Sequence, residues 1–359
     1  MFASSLSYII AITRPEGDLG GKPVANPRGC DDLDYIHFLI AAQRVFTCTE
    51  AARCQPEGSG TPVHDAFTRL LQREPPDTEA LWQEVKPLVE LRRGVLILDD
   101  TTLDKPYARR IEPVTWHWSG KHHRVVKGIN LLTLLWTDGE AHLPIGFRVY
   151  AKHLDGLTKN DHARAMWAEA KSRGFEPECV IFDVWYAGLR NLKALDDLEW
   201  SWLTRLKSNR LVNPDGRGNR SISTVSIPWE GLVVHMKGYG WIKAFQRAAR
   251  DGGVEYWATN DLKMKRDEWE RYAGMMWRVE EYHRGLKQCC GVEQTQVRST
   301  QAQIKHISLA LRAFTRLEWH RLHTGISWYE AKKAIIREAI RTYLAQPTYL
   351  LRPKTWATA

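Results

Sequence analysis

Three carboxylates stand out for where they fall in the chain. Asp100 closes a short apolar run, GVLILDDT at 94–101, and Asp183 lies at the end of another, within CVIFDVWYA at 179–187. Glu280 lies inside WRVEEYHRGLKQ at 277–288. Short apolar runs that finish in an acid read as buried strands. Strand ends in an open sheet bring side chains together at one edge. Carboxylates gathered there offer the hard oxygen donors that Mg²⁺ prefers. A pair of such ions serves phosphoryl chemistry, one generating the attacking oxygen and the other stabilising the leaving oxygen. Acids at strand ends are also routine in turns, so the pattern alone leaves both readings open. Asp99 sits beside Asp100, and strand alternation puts the two on opposite faces. Only one of them can point at the metals, and the pattern does not choose.

The third acid belongs to a helical stripe. Glu280, Arg284 and Lys287 are spaced i, i+4, i+7 and share one helix face. Glu280 is then placed for a metal and Lys287 for a phosphate one or two turns further on. A solvated Glu–Arg pair on an exposed helix has the same spacing.

The elements that must position these residues follow from periodicity. Residues 1–31 read as a poorly structured lead-in. Residues 32–93 read as a helical N-terminal domain, with apolar helical spacing over 32–55, a break at PEGSGTP, and short helical patterns over 63–74 and 78–93. Two short helices about a Gly/Pro turn fit a helix-turn-helix DNA reader or a plain packing domain. Strands are expected at 94–101, 129–138, 142–151, 179–187 and 200–209. Helices are expected at 160–174, capped by Asn160 and ended by Gly174, and at about 188–198. The order β-β-β-α-β-α-β is an α/β class, a ribonuclease-H-like mixed sheet flanked by helices. It spans 94–209 as the first part of a catalytic core. A Gly- and Asn-containing β-rich insertion follows at 210–262. The core resumes at 263–326 with the Glu helix, and a helical C-terminal region with a tail fills 327–359.

Composition narrows the partners. The chain has 359 residues, with 51 Lys+Arg against 42 Asp+Glu, so 51 − 42 leaves +9. Such a surplus favours a polyanion, because cationic side chains displace counterions from phosphates. The six cysteines form no paired CxxC units of zinc spacing and read as free thiols. No apolar stretch is long enough for a membrane span, and the product is expected in the cytoplasm. Most of the 16 tryptophans should be core, although aromatic rings also stack on unpaired bases. His117, His122 and His123 in HWSGKHHR suit a loop on DNA or on the sheet better than a Mg²⁺ site.

Four separated pieces, LDDTTLDKPYA at 98–108, IFDVWYAGLRNLKAL at 181–195, WLTRLKSNRLV at 202–212 and WRVEEYHRGLKQ at 277–288, occur in an order that resembles the DDE transposases of bacterial insertion sequences. The nearest branch is that of insertion sequence 701, within the broader insertion sequence 4 group. The resemblance implies Asp100, in an Asp-Thr-Thr unit, as the first catalytic and metal-binding acid in preference to Asp99. It implies Asp183 as the second and Glu280 as the third. It implies two Mg²⁺ ions, with Mn²⁺ as a substitute. It also implies double-stranded DNA as partner, both the inverted-repeat ends and the target, and a dimer on that DNA. The activity implied is strand cleavage followed by 3′-hydroxyl strand transfer. Lys287, Arg284, Arg205, Lys207, Arg210, Arg298 and Lys159 become candidates for DNA contact, though each also reads as ordinary surface charge. Where the resemblance expects Tyr and Arg upstream of the Glu, this chain has Ala273 and Met276, with Arg271 and Tyr272 out of register. The alternatives are a catalytically silent DNA-binding relative, a structure-specific nuclease of the same fold, and a carboxylate-pair glycosidase, which the basic charge fits poorly.

Overall fold

The apolar run after Gly94 forms the centre of one large sheet. In the computed structural model, which describes residues 29–58, 61–73, 78–119, 123–249 and 252–347, strand β1 spans Val95–Asp104. Its first four residues are fully buried, and its later ones reach the edge of the core. β1 pairs antiparallel with β3 (Arg124–Thr137), and β3 pairs with β4 (Leu143–Tyr150). On its other side β1 runs parallel to β5 (Cys179–Phe182), and β5 runs parallel to β6 (Trp202–Leu206). The order β4-β3-β1-β5-β6 is that of a ribonuclease-H-like sheet, as expected from the sequence. Helices cover both faces, as an α/β sheet with buried apolar strands requires.

Several boundaries differ from the sequence reading. β1 runs on to Asp104, because its ladder with β3 continues to Gly128. A further strand, β2 (Thr115–Ser119), pairs with the start of β3, where a loop was expected around His117. The apolar run at 179–187 stops as a strand at Phe182, and Val184–Tyr186 turn as a 3₁₀ helix. The helix expected from Asn160 is capped by Thr158. Its side chain accepts from the Asp161 amide while Asp161 reaches back to the Thr158 backbone, a capping box.

The helix expected across 32–55 divides into α1 (Asp32–Ala41) and α2 (Cys48–Arg53). Cys30 is buried and Asp31 caps α1, so ordered structure begins inside the expected lead-in, whose first 28 residues lie outside the described residues. His122 and the end of the C-terminal tail also lie outside them. Two more short helices complete this end, α3 (His64–Arg73) and α4 (Thr78–Val85). A short α5 (Lys152–Asp155) leads into α6 (Lys159–Ser172), and α7 (Leu189–Asp197) joins β5 to β6.

The β-rich segment after β6 extends the same sheet. β7 (Leu211–Asn213), β8 (Arg220–Ser221), β9 (Leu232–Met236), β10 (Gly240–Ala248) and β11 (Val254–Thr259) follow in chain order. β11 pairs antiparallel with β6, and the sheet continues through β10, β9, β7 and β8. Among the described residues this gives eleven strands in one sheet.

The remaining helices are α8 (Arg266–Met275), α9 (Trp277–Cys289), α10 (Thr300–Thr324) and α11 (Trp328–Ala345). α10 is the pillar on which α1, α3 and α4 pack. Its Arg312 binds Asp32 and Glu84, and its His306 lies between the Tyr35 hydroxyl and the Gly291 carbonyl. α9 crosses α10 and α11 so closely that a Cβ at Gly285 would stand 2.6 Å from the Trp328 ring and 2.9 Å from Phe314. Gly285 thus fixes the height of the helix that carries Glu280.

Buried histidines make this core acid-sensitive. Burial pushes His306 down to about 3, His283 down to about 3 and His117 down to about 4. Each folded value lies below the unfolded one, so stability is full above about pH 6.5 and falls as the unfolded chain takes up protons that the fold excludes. Below that pH, His306→Asn is expected to flatten the pH dependence of urea unfolding by about 1.4 kcal/mol per pH unit. An unchanged slope would show that His306 protonates freely in the fold.

Candidate active site

The parallel pairing of β1 and β5 determines which acids meet. Leu98 stands opposite Phe182 in that ladder. The next residues are Asp99 and Asp183, and Asp183 keeps an extended backbone (φ −74, ψ 163). Side chains at equivalent positions of neighbouring strands share a face. Asp99 and Asp183 therefore lie side by side on one face of the sheet, while Asp100 points to the other.

The surroundings of the two neighbours agree. Asp100 accepts from Lys159 Nζ at 2.7 Å, Asn130 Nδ2 at 2.6 Å and the Tyr186 hydroxyl at 2.5 Å. Burial works to raise its pKa, but the Lys159 charge and these hydrogen bonds overcome it and hold the carboxyl below its ordinary value. Burial and the Asp100 charge push the Tyr186 phenol strongly upward, so it stays a donor. Asp99 instead lines a cavity of about 730 Å³ together with Glu280, Arg205, Arg247, Glu255, Trp257 and Trp277. Its carboxyl is held well above the ordinary range by burial and then by the charges of Asp100, Glu280 and Asp183. His283 Nδ1 lies 3.8 Å from it.

The two adjacent acids, of which the resemblance singles out Asp100, are thus separated by the register. Asp100 is tied to α6 on the opposite face, and Asp99 is the acid that shares the cavity with Glu280. Register carries this distinction, and a pattern of residue types in one strand does not contain it.

Asp183 accepts from Arg205 at 2.6 Å, and Arg205 also approaches Glu255 at 3.5 Å. Glu255 in turn accepts from Arg247 Nε at 2.7 Å and from the Trp257 ring N–H at 3.1 Å. Arg247 and Glu255 come from β10 and β11 and were not anticipated. Only the continuity of the sheet past β6 brings them here. Glu280 is exposed on α9, facing the cavity.

The other expected DNA contacts divide into two groups. Lys287 donates to the Thr102 carbonyl at 2.7 Å and pairs with Glu293 at 2.9 Å. Arg210 donates to the Ala187 carbonyl, and Lys159 is held by Asp100. These three, with Arg205, brace the fold. Arg284, Lys207 and Arg298 are exposed. Arg271 and Tyr272, out of register in the sequence, both donate to Glu178 at the start of β5.

Among the described residues no three His, Cys, Asp or Glu side chains stand close enough to hold one ion. The donor set still suits a hard divalent cation, because Asp99, Asp183 and Glu280 supply only carboxylate oxygens. The charge balance points the same way. Burial, and then negative neighbours, drive Asp99 toward its protonated form, and a guanidinium already sits on Asp183. A cation among these groups would relieve that crowding.

Residues 38–221, just over half of the chain, match the family model described as DDE superfamily endonuclease. In fold the chain is similar to a piggyBac transposase in its synaptic complex with hairpin DNA, with a TM-score of 0.52 and 12% identity over 96% of this chain and 78% of that one. The Drosophila P element transposase in its strand transfer complex aligns at a TM-score of 0.23 and 13% identity, over 55% of this chain and 42% of that one. No curated protein matches the chain in sequence.

The Lys159–Asp100 pair gives a test of the local electrostatics. Lys159→Met leaves a largely buried carboxylate without its counter-charge, at an expected cost of about 3 kcal/mol at pH 7. The folded pKa of Asp100 then rises, so the deficit should shrink as the pH falls toward 4.5, within reach of ordinary carboxylate titration. Urea unfolding at several pH values measures this, and a deficit independent of pH would contradict the assignment.

The matched family model, lying on a ribonuclease-H-like sheet whose edge gathers paired acids, establishes that the chain belongs to the DDE superfamily endonucleases.

Proposed function

We propose that the chain is a transposase that cleaves DNA at the ends of its own element, an insertion sequence, and joins the freed 3′-hydroxyl to a target. The carrying observation is the register that sets Asp99 beside Asp183, on the face where Asp99 shares a cavity with Glu280. Asp99, Asp183 and Glu280 would hold Mg²⁺, or Mn²⁺ in its place. When bound, such ions generate the attacking oxygen and stabilise the leaving oxygen at phosphorus.

The chain's own groups do the rest. Arg205 and Arg247 line the cavity as cations, and both are held by Glu255, so a phosphate entering it meets oriented guanidinium groups. Arg205 now neutralises Asp183, and its transfer to an incoming phosphate would free that carboxylate. Asp99, which burial and its acidic neighbours hold toward the protonated form, would hold a metal cation as the carboxylate. Lys159, Tyr186 and Asn130 hold Asp100 on the other face. Arg284, Lys207 and Arg298 are the exposed cations offered to the duplex backbone. Since an element has two ends, a dimer on DNA is part of this reading.

The test is cleavage of end-bearing DNA in Mg²⁺ under single-turnover conditions. Asp99→Asn, Asp183→Asn and Glu280→Gln are each expected to slow nicking by more than about 100-fold, beyond what loss of an outer-shell partner costs. Their chelator-treated forms should still bind the DNA. Full activity in Asp99→Asn would refute the assignment of that acid. Cleavage with no joining of the 3′-hydroxyl would leave a nuclease in place of a transposase.

A further inference from the structure

β2 carries two tryptophans that the sheet does not cover. Trp116 and Trp118 are 69% and 67% exposed, and His117 between them is buried. In the ladder with β3, Trp116 stands opposite Lys127 and Trp118 opposite Val125. β3 aligns Ile129 with Leu103 of β1 and Thr133 with Asp99. Counting by twos along these ladders, Trp116, Trp118, Lys127, Leu103 and Asp99 lie on the same face. His117 falls on the face of Asp100, whose charge acts on it together with that of Lys159. The tryptophans thus lie on the face of the proposed catalytic acids. Trp116 is level with Lys105, six residues along β1 from Asp99, or about 20 Å.

The surroundings are basic and aromatic. Tyr107 is 93% exposed, and Arg109, Arg110 and Arg124 are exposed nearby in sequence and ladder. Glu112, an exposed acid of this region, is occupied in holding the start of α10 through Thr300, and Asp155, exposed on α5, pairs with His162. Cations beside uncovered aromatic rings are what a nucleic-acid strand requires, with rings for the bases and guanidinium groups for the phosphates. The spacing favours a single strand. Residues two apart on a strand are about 6.6 Å apart, twice the 3.4 Å between stacked bases of a duplex strand. Stacked pairs of an undistorted duplex offer no free base faces at that separation, whereas splayed, unpaired bases do.

We infer that the outer face of the β2–β3 hairpin binds unpaired nucleotides, with bases stacked on Trp116 and Trp118 and phosphates on the neighbouring arginines. This rests on the reading of the chain as a DNA enzyme. It adds a site for the single strand that leaves the cleavage point a few nucleotides away.

The test is binding in chelator, so that it does not depend on the metal site. A short labelled oligothymidylate should quench tryptophan fluorescence. The double variant Trp116→Ala, Trp118→Ala should bind it at least about tenfold more weakly, while affinity for a duplex of equal length changes by less than about twofold. Trp116→Phe with Trp118→Phe should recover most of the affinity, and circular dichroism should show both variants folded. Unchanged oligothymidylate affinity in the alanine variant overturns the inference, as does an equal loss for duplex. Loss of self-association in that variant, with no effect on the oligonucleotide, would assign the patch to a protein partner and also overturn it. If wild-type protein nicks duplex ends but ignores the single strand, this inference fails and the proposed function stands. Single-strand binding without any nicking gives the opposite result.

Discussion

The alignment of Leu98 with Phe182 is the constraint on which the rest of the site depends. A slip by one residue exchanges every side chain between the two faces of a strand, so each closely packed face resists it. β1 and β5 each begin with four buried apolar residues, so the core itself fixes their register. The two acids that follow are brought together by hydrophobic packing several residues away.

The mutual repulsion of the acids is managed one acid at a time. Asp100 has Lys159 with two hydrogen-bond donors, Asp183 has Arg205, and Asp99 is driven toward its neutral form. Glu280 is exposed on a helix whose position is set by close packing at Gly285. The arrangement is a concentration of negative charge, balanced in part by the internal cations Lys159 and Arg205.

Much of this was legible in the sequence. Apolar runs ending in acids marked β1 and β5, and helical spacing marked α9, because those signals are local. The ribonuclease-H-like order followed from the alternation of strands and helices. Asp99 and Asp100 could not be separated, since what distinguishes them is the partner strand. β2 was missed because THE exposed Trp116 and Trp118 flank a buried His117, the reverse of the usual apolar-inward pattern, and the strand is short. Arg247 and Glu255 were missed because nothing local shows that β11 returns to β6. Lys287 and Arg210 looked like surface cations, yet both donate to backbone carbonyls, a long-range outcome that composition does not encode.

The unbroken run of hydrogen bonds from β6 through β11 to β10 has a mechanical consequence. The cavity wall that carries Arg247 and Glu255 is joined to the strands that carry the acids as one stiff plate, without a hinge between them. Such a plate twists but does not fold shut. Any adjustment to the shape of a substrate must come from the helical side, through α8 and α9, or from bending of the substrate itself.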